Sequence, residues 1–268
     1  MRIATWNVNS LNARMPWMEI WLDTVAPHVL CLQETKLDDA SFPADTFTEL
    51  GYESVHHGQG QWNGVAILSR VGIDDPSPGF SDGAEADPDA RMLWATCGGV
   101  RVGSVYVPNG RTVDDDHYQY KLAWLARLRA HLDAVADPGE KVCVLGDFNI
   151  IPETRDMWDP KAFEGATHVT DAERAALDHI IAWGLTDVFR EQYDDDGLYS
   201  YWDYTAGRFH KRQGIRIDLA LASAPLLDSL QSVVVDRNAR KNTPNKDKPS
   251  DHAPLVVDFH PELVSSGR

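Results

Sequence analysis

Cysteine is scarce in this chain. Three occur among 268 residues, Cys31, Cys97 and Cys143, and no two of them stand in a CxxC spacing. An odd number of thiols among small or apolar neighbours argues against a disulfide framework and against a cysteine-rich zinc site. We therefore expect three reduced, buried thiols and a cytoplasmic protein.

Long apolar runs are also missing. No uninterrupted apolar stretch approaches the roughly 20 residues that a membrane helix requires. The opening IATWNV has polar residues where a signal peptide needs apolar ones. We expect no membrane partner. With 43% hydrophobic residues the chain can nevertheless bury a substantial core.

Positive charge is in short supply. Lys and Arg number 25 against 41 Asp and Glu, and the formal net charge is −16. This balance excludes the all-round basic surface that backbone binding to nucleic acid usually needs. From Thr205 to Ser250, however, nine basic residues outnumber four acidic ones. The distribution predicts a basic face near the C-terminus of an otherwise acidic body.

Short apolar runs recur along the chain and predict strands at residues 2–8, 28–34, 64–70, 91–97, 100–107, 141–147, 215–221, 231–236 and 253–259. Gly98-Gly99 predicts a hairpin. Residues 74–90, rich in Pro, Gly and Asp, are typical of a surface loop. We find no repeat and no low-complexity linker, so we expect one α/β domain over residues 1–260 and a C-terminal tail at 261–268.

Two helices are predicted with defined ends. The first runs from Asp116 to Val135, with an apolar stripe formed by Leu122, Leu125, Leu128, Leu132 and Val135. On this helix Arg127, Arg129 and His131 lie toward the C-terminal end, where the helix dipole favours positive charge. The second opens with a T-x-x-E capping box from Thr170 to Glu173 and continues to about Trp183.

Polar residues stand at or just after the C-terminal ends of several predicted strands: Asn7, Asn9, Glu34, Tyr106, Asn109, Asp147 and Asn149. Asp251 and His252 directly precede the last predicted strand. Each alone could be a turn or capping residue. Asp218 is different, because a carboxylate within an apolar strand costs several kcal/mol unless it is paired with a group such as His or Arg. Together these hard oxygen ligands and a single imidazole suit Mg²⁺ and do not suit zinc.

Seven ordered blocks carry a family resemblance: TWNVNSL (5–11), LQETK (32–36), VYVPNG (105–110), LGDFNI (145–150), YSYWDY (199–204), GIRIDLAL (214–221) and PSDHAPL (249–255). They resemble the signature blocks of the exonuclease III family of AP endonucleases, within the endonuclease/exonuclease/phosphatase superfamily. The resemblance spans residues 5 to 255. It implies an α/β four-layer sandwich of two mixed β-sheets flanked by helices (DNase I-like), with the site at one rim.

The resemblance also implies roles for individual residues. It implies catalytic roles for Tyr106, Asp147, Asn149, Asp218 and His252. It implies a metal site for Mg²⁺, with Mn²⁺ as a substitute, at Asn7, Glu34, Asp147, Asn149, Asp251 and His252. It implies phosphate and DNA contacts at Asn9, Asn109, Arg208, Lys211 and Arg212, and a pocket for an abasic sugar at Tyr201, Ile215 and Ile217.

The implied function is a Mg²⁺-dependent DNA phosphodiesterase of base-excision repair. Such an enzyme incises 5′ to abasic sites and has 3′-5′ exonuclease or 3′-phosphodiesterase activity. We expect a monomer whose partner is double-stranded DNA with abasic sites or 3′ ends. One alternative is a superfamily member that hydrolyses a lipid head group, an inositol phosphate or a nucleotide; the WDY block and the basic stretch disfavour it. Another is a non-catalytic DNA-binding relative, disfavoured because every catalytic position is filled.

The sugar pocket has an alternative of its own. Ile215 and Ile217 alternate with Leu219 and Leu221, as in an ordinary core stripe. The same alternation places Asp218 on the opposite face.

Overall fold

The computed structural model describes residues 1–241 and 248–260. The predicted tail at 261–268 lies outside these residues. Within them, no helix combines the length and the apolar character needed to span a bilayer.

The first sheet is mixed and has six strands. Their spatial order is Leu230–Val235 (β11), Leu255–Phe259 (β12), Arg2–Asn7 (β1), Val29–Gln33 (β2), Val65–Ser69 (β4) and Glu53–His57 (β3). Only β1 and β2 pair in parallel among these neighbours, and every other pair is antiparallel. Because parallel strands end at the same edge, β1 and β2 bring their carboxyl ends together.

The second sheet repeats this arrangement. Its order is Asp74–Pro78 (β5), Met92–Cys97 (β6), Val100–Tyr106 (β7), Val142–Asp147 (β8), Asp218–Ser223 (β10) and Leu185–Asp187 (β9). The parallel pair is β7 and β8, and the other neighbours are antiparallel. Each sheet therefore contributes one pair of strand carboxyl ends.

The described residues form six α-helices: Met15–Val25 (α1), Ala44–Glu49 (α2), Asp116–Val135 (α3), Asp171–Ile181 (α4), Val188–Gln192 (α5) and Ala224–Leu227 (α6). The short α5 and α6 contribute Val188, Phe189 and Leu226 to the core between the sheets. Alternate strand side chains fill different layers, as the pleat requires. Ile3 packs between the sheets, whereas Ala4 packs with Met18 of α1 outside the first sheet. Leu219 packs with Leu128 of α3 outside the second. The predicted four-layer α/β sandwich is confirmed.

The bounds predicted for α3 are confirmed, but its buried face differs from the predicted stripe. Leu122 and Val135 are only partly buried, whereas Lys121 and His131 are fully buried. Two titratable side chains thus lie under the helix, and His131 is not a solvated charge at its C-terminal end. The predicted capping box of α4, between Thr170 and Glu173, is confirmed.

The predictions were incomplete or wrong for four strands. Residues 74–78 form β5 instead of a loop; their prolines are tolerated because β5 is an edge strand with a register irregularity. β10 begins at Asp218, because Ile215 instead bridges to Met157 and Tyr201. The polar β3 and the short β9 were not predicted. The three cysteines are free and buried, as expected.

Candidate active site

The carboxyl ends of the two parallel strand pairs meet at one rim of the sandwich. Asn7 at the end of β1 lies opposite Gln33, and Tyr106 at the end of β7 lies opposite Asp147. Because β10 is antiparallel to β8, its first residue, Asp218, also lies opposite Asp147. A hydrogen bond of 2.9 Å from Asn7 Nδ2 to Asp147 Oδ2 joins the two sheets here.

Glu34 and Asp147 share the amide of Asn7. Its Nδ2 donates to Glu34 Oε1 at 2.8 Å as well as to Asp147, and Lys36 Nζ lies 3.0 Å from Glu34 Oε2. Burial opposes ionisation of Glu34, but the Asn7 hydrogen bond and the Lys36 charge lower its pKa. Burial raises the pKa of Asp147 to about 7, although the His252 charge opposes this shift. The two carboxylates therefore differ in their readiness to take up a proton.

His252 is held by Asp218. The imidazole Nδ1 lies 2.9 Å from Asp218 Oδ2, and Nε2 lies 3.8 Å from Asp147 Oδ2. Burial disfavours the charged imidazole, but Asp218 raises the pKa of His252 to about 10. A protonated imidazole donates hydrogen bonds and cannot ligate a metal. His252 in this state suits a phosphate contact better than the metal-ligand role also predicted for it.

The Asn149 amide has a fixed orientation. Its Nδ2 donates to the Val107 carbonyl at 2.9 Å, and its Oδ1 accepts from Asn109 Nδ2 at 3.2 Å. His168 Nε2 lies 3.2 Å from the same oxygen, and burial lowers the pKa of His168 to about 4. His168 is therefore neutral and can donate through Nε2. Phe148, which lies between Asp147 and Asn149 in the sequence, is buried in the core.

A buried ion pair supports the backbone at Asn149 and at His168. Lys121 Nζ donates to the Asn149 carbonyl at 2.6 Å and to Glu173 Oε1 at 2.5 Å, and both side chains are fully buried. The same Glu173 oxygen accepts the His168 backbone N–H at 2.9 Å. Asn149 and His168 both have positive φ, 49° and 80°. The Lys121–Glu173 pair thus holds two unusual backbone positions that line the site.

Tyr106 is a phenol that keeps its proton. Burial, followed by the Glu34 and Asp147 charges, raises its pKa well above the usual value. Below it, the Arg91 guanidinium lies 4.7 Å from the ring centroid. Tyr106 can therefore donate a hydrogen bond at neutral pH.

These polar groups open into a cavity of about 350 Å³. Its apolar wall consists of Trp158, Phe163, Tyr201, Ile215 and Ile217, and its lining also includes Asn109, Asp251, His168 and Arg208. Ile215 and Ile217 pack with Ile151 and Met157, in a cluster separate from that of Leu219 and Leu221. The core stripe considered from the sequence thus divides between two buried clusters, and the sugar pocket stays a prediction. Asp218 does face away from this wall, but it serves the same site through His252.

The residues predicted to contact DNA fall in different places. Arg208 lines the cavity, whereas Lys211 and Arg212 are exposed on the same loop and do not line it. Asn9 Nδ2 donates to Asp251 Oδ1 at 3.0 Å, and Asn9 Oδ1 accepts from Lys36. Asn9 thus positions Asp251 instead of facing the cavity.

Several residues at the site were not predicted. His168 and Lys121 have no strand-end position that would have marked them, whereas Lys36 stands in the LQETK block and was given no role. Trp62 is 66% exposed on the loop after β3, next to Asn63, whose carbonyl accepts the Lys36 N–H. Trp62 is the most exposed large apolar side chain among the described residues.

Comparison with known proteins identifies the family. The chain matches the Endonuclease/Exonuclease/phosphatase family over residues 4–252. It belongs to that family. Exodeoxyribonuclease III of Haemophilus influenzae is 30% identical, over 97% of this chain and 100% of the relative.

Two solved structures are similar over nearly the whole chain. An AP endonuclease from Archaeoglobus fulgidus has a TM-score of 0.92 and 35% identity, covering 97% of this chain and 99% of its own. A 3′-5′ exonuclease from Neisseria meningitidis has a TM-score of 0.92 and 38% identity, covering 97% and 100%. The exonuclease III resemblance is confirmed, and the chain is a hydrolytic nuclease.

The site contains an acidic group that could hold a metal ion. Ligand-type atoms of Glu34, Asp147 and His252 lie within 4.8 Å of one another, and the two carboxylates are the ones that could bind a metal while His252 is protonated. The carboxylates are hard donors, and each oxygen keeps a lone pair beyond its present hydrogen bond. The predicted ligand set is wider than this group. The amide oxygens of Asn7 and Asn149 already accept hydrogen bonds, and Asp251 lines the cavity outside the group.

Proposed function

We propose that this nuclease is a Mg²⁺-dependent DNA phosphodiesterase that incises 5′ to abasic sites, leaves a 3′-hydroxyl and also processes 3′ ends. The observation that carries the proposal is the meeting of a carboxylate pair, an imidazolium and a phenol beside an apolar cavity. Glu34 and Asp147 would hold the ion, with Asp251 nearby. When bound, Mg²⁺ stabilises the negative charge on the phosphate and on the leaving oxygen.

The other catalytic roles are carried by side chains of the protein. Asp147, which shares the Asn7 amide with Glu34, is placed to accept a proton from the attacking water. The His252 N–H and the Asn149 amide donate to the phosphoryl oxygens as negative charge develops. Tyr106 is protonated at neutral pH, gives its proton to the leaving 3′ oxygen, which becomes the 3′-hydroxyl, and regains a proton from solvent. Asp218 holds the His252 ring in place and keeps it protonated.

The apolar wall of the cavity supports an abasic substrate. An abasic nucleotide has no base to unstack, so turning it out of the duplex costs little. Tyr201, Ile215 and Ile217 then offer its sugar an apolar surface. We propose that the enzyme acts as a monomer, and in the cytoplasm, where its three buried thiols stay reduced.

One observation favours a different ratio between 3′-end processing and incision at internal abasic sites. The neutral His168 imidazole lines the same cavity, against Asn109 and Asn149. An imidazole on this wall leaves less room in the cavity than a glycine at the same position would leave. We propose, as the second possibility, that processing of 3′ ends therefore exceeds incision at internal abasic sites. The two structural relatives, one an AP endonuclease and the other a 3′-5′ exonuclease, leave both possibilities open.

The test uses two duplexes, one with an internal tetrahydrofuran abasic analogue and one with a blocked 3′ end. Cleavage of either with Mg²⁺, and of neither with EDTA, supports the metal-dependent phosphodiesterase. Asp147→Asn should abolish cleavage while leaving DNA binding intact, and Asp133→Asn, the same change on the exposed side of α3, should have no effect. Intact DNA binding without any cleavage by the wild type would contradict the enzyme and favour a non-catalytic relative.

His168→Gly separates the two possibilities. If the imidazole restricts the cavity, this variant gains incision at the internal analogue while its 3′-end activity changes less. Efficient wild-type incision, unchanged in the variant, would show that His168 leaves room for the sugar.

A further inference from the structure

A second cavity adjoins the first. It has a volume of about 280 Å³ and shares Asp203 and Arg208 with the active site. Its charged lining consists of Arg208, Arg240, Lys241 and Lys248, with Asp203 as the one acid among the described residues. We call this cavity the basic pocket.

Among the described residues, the cations of the basic pocket have no carboxylate at salt-bridge distance. Within residues 1–241 and 248–260, none of the four forms a salt bridge, although the chain has 41 acidic residues and only 25 Lys and Arg. Arg240 donates to the Trp202 carbonyl and Lys241 donates to Asn238. Asp203 is itself engaged by the N–H and hydroxyl of Thr205. In so acidic a chain, four unneutralised cations around one concavity suit an anionic ligand.

Aromatic rings hold these cations in place. The Arg240 guanidinium lies 5.0 Å from the Tyr204 ring centroid, and Lys248 Nζ lies 3.5 Å from the same ring. Phe209 contacts Arg240 from another side at 5.2 Å. A cation over an aromatic face is fixed in position but keeps its N–H donors and its charge. The Nε atoms of Arg208 and Arg240 are buried without a partner among the described residues.

We propose that the basic pocket binds a backbone phosphate of the DNA other than the one that is cleaved. This inference rests on the proposed function, because it assumes a DNA substrate in the adjoining cavity. Arg208 lines both cavities, so a strand that places its scissile phosphate at His252 passes directly beside the pocket. Guanidinium and ammonium groups are the usual partners of a phosphodiester.

The first test measures the salt dependence of DNA binding with EDTA present, so that the duplex stays intact. Lys248→Gln changes an exposed side chain and should not affect folding. Losing one phosphate contact reduces the slope of log affinity against log salt by about one and weakens binding about tenfold. Lys141→Gln is the matched control, because Lys141 is exposed at the opposite end of the strand that delivers Asp147. It should leave the slope unchanged.

The second test locates the phosphate. Duplexes with a single neutral methylphosphonate, moved one position at a time, are bound by the wild type and by Lys248→Gln. At one position other than the scissile one, the loss of affinity from the methylphosphonate and the loss from Lys248→Gln should not add, because both changes remove the same contact. Arg240→Gln, if it folds as judged by circular dichroism, should identify the same position.

The outcomes separate this inference from the proposed function. The phosphate site in the basic pocket alone is refuted if the wild type binds DNA but Lys248→Gln and Lys141→Gln give the same slope of log affinity against log salt. It is also refuted if the losses of affinity from Lys248→Gln and from the methylphosphonate add at every position. A wild type that neither binds nor cuts DNA would refute both.

Discussion

Replacing Lys121 by Met leaves the carboxylate of Glu173 buried without its counterion. Both side chains are fully buried, and their pair is the direct support of the Asn149 carbonyl. Removing one partner of a buried pair typically costs about 3–5 kcal/mol, a large share of the roughly 5–15 kcal/mol that holds a domain folded. Urea unfolding followed by fluorescence of the nine Trp residues measures the loss. Cleavage should also fall, because Asn149 loses its anchor.

Two further variants show whether the stranded charge is the cause. Lys121→Met combined with Glu173→Gln keeps an acceptor for the α4 cap and removes the charge, so it should recover about 1 kcal/mol or more of the loss. Arg129→Met breaks the exposed Arg129–Asp133 pair on the same helix and should cost under about 1 kcal/mol. If Lys121→Met is no more destabilising than Arg129→Met, or the double variant no more stable than Lys121→Met, the reasoning is wrong.

Three other predictions concern separate parts of the molecule. Asp218→Asn should lower kcat about 100-fold or more with little change in KM, because His252 loses the carboxylate that orients and charges it; equal kcat would remove Asp218 from the site. Trp62→Ala should raise KM for DNA about fivefold or more with unfolding unchanged, since the side chain is exposed; an unchanged KM would leave Trp62 without a role. Burial lowers the pKa of His131 to about 4, below its unfolded value near 6.5. The unfolded chain therefore binds more protons between these values, and stability falls as pH drops from 6.5 toward 4. His131→Gln should weaken this dependence in urea titrations at pH 7 and 5, and an identical pH dependence would contradict it.

The architecture was predictable because its signals are local. The period-2 runs and the Gly98-Gly99 turn follow from strand geometry, and the bounds of α3 follow from helix spacing. β5 was missed because Pro and Asp are poor strand formers, and only its position at the sheet edge makes them tolerable. β3 was missed because its residues are partly exposed and mostly polar.

The site was predictable where a residue belongs to a strand end or a family block. Glu34, Asp147 and His252 do lie close together, although no feature of the sequence near each of them shows which other residues it contacts. Lys121 could not be found in this way, since a Lys among helical leucines has the pattern of a solvated charge. Its burial becomes visible only once Glu173, 52 residues later, is placed beneath the same helix. The sequence shows Glu173 as a capping residue and conceals its second partner.

The net charge of −16 misleads for a related reason, because it counts charges without regard to pairing. Cations such as Arg127 and Arg216 are neutralised by nearby carboxylates and add little to the field outside the protein. Within the part of the chain that the structure describes, the cations of the basic pocket are not neutralised in this way. Under the proposed function, a DNA strand at this rim would meet cations without a salt-bridge partner among the described residues, next to carboxylates that could hold a divalent ion. Since the excess of acidic residues over the rest of the sequence repels DNA, these cations would contribute to orientation as well as to affinity.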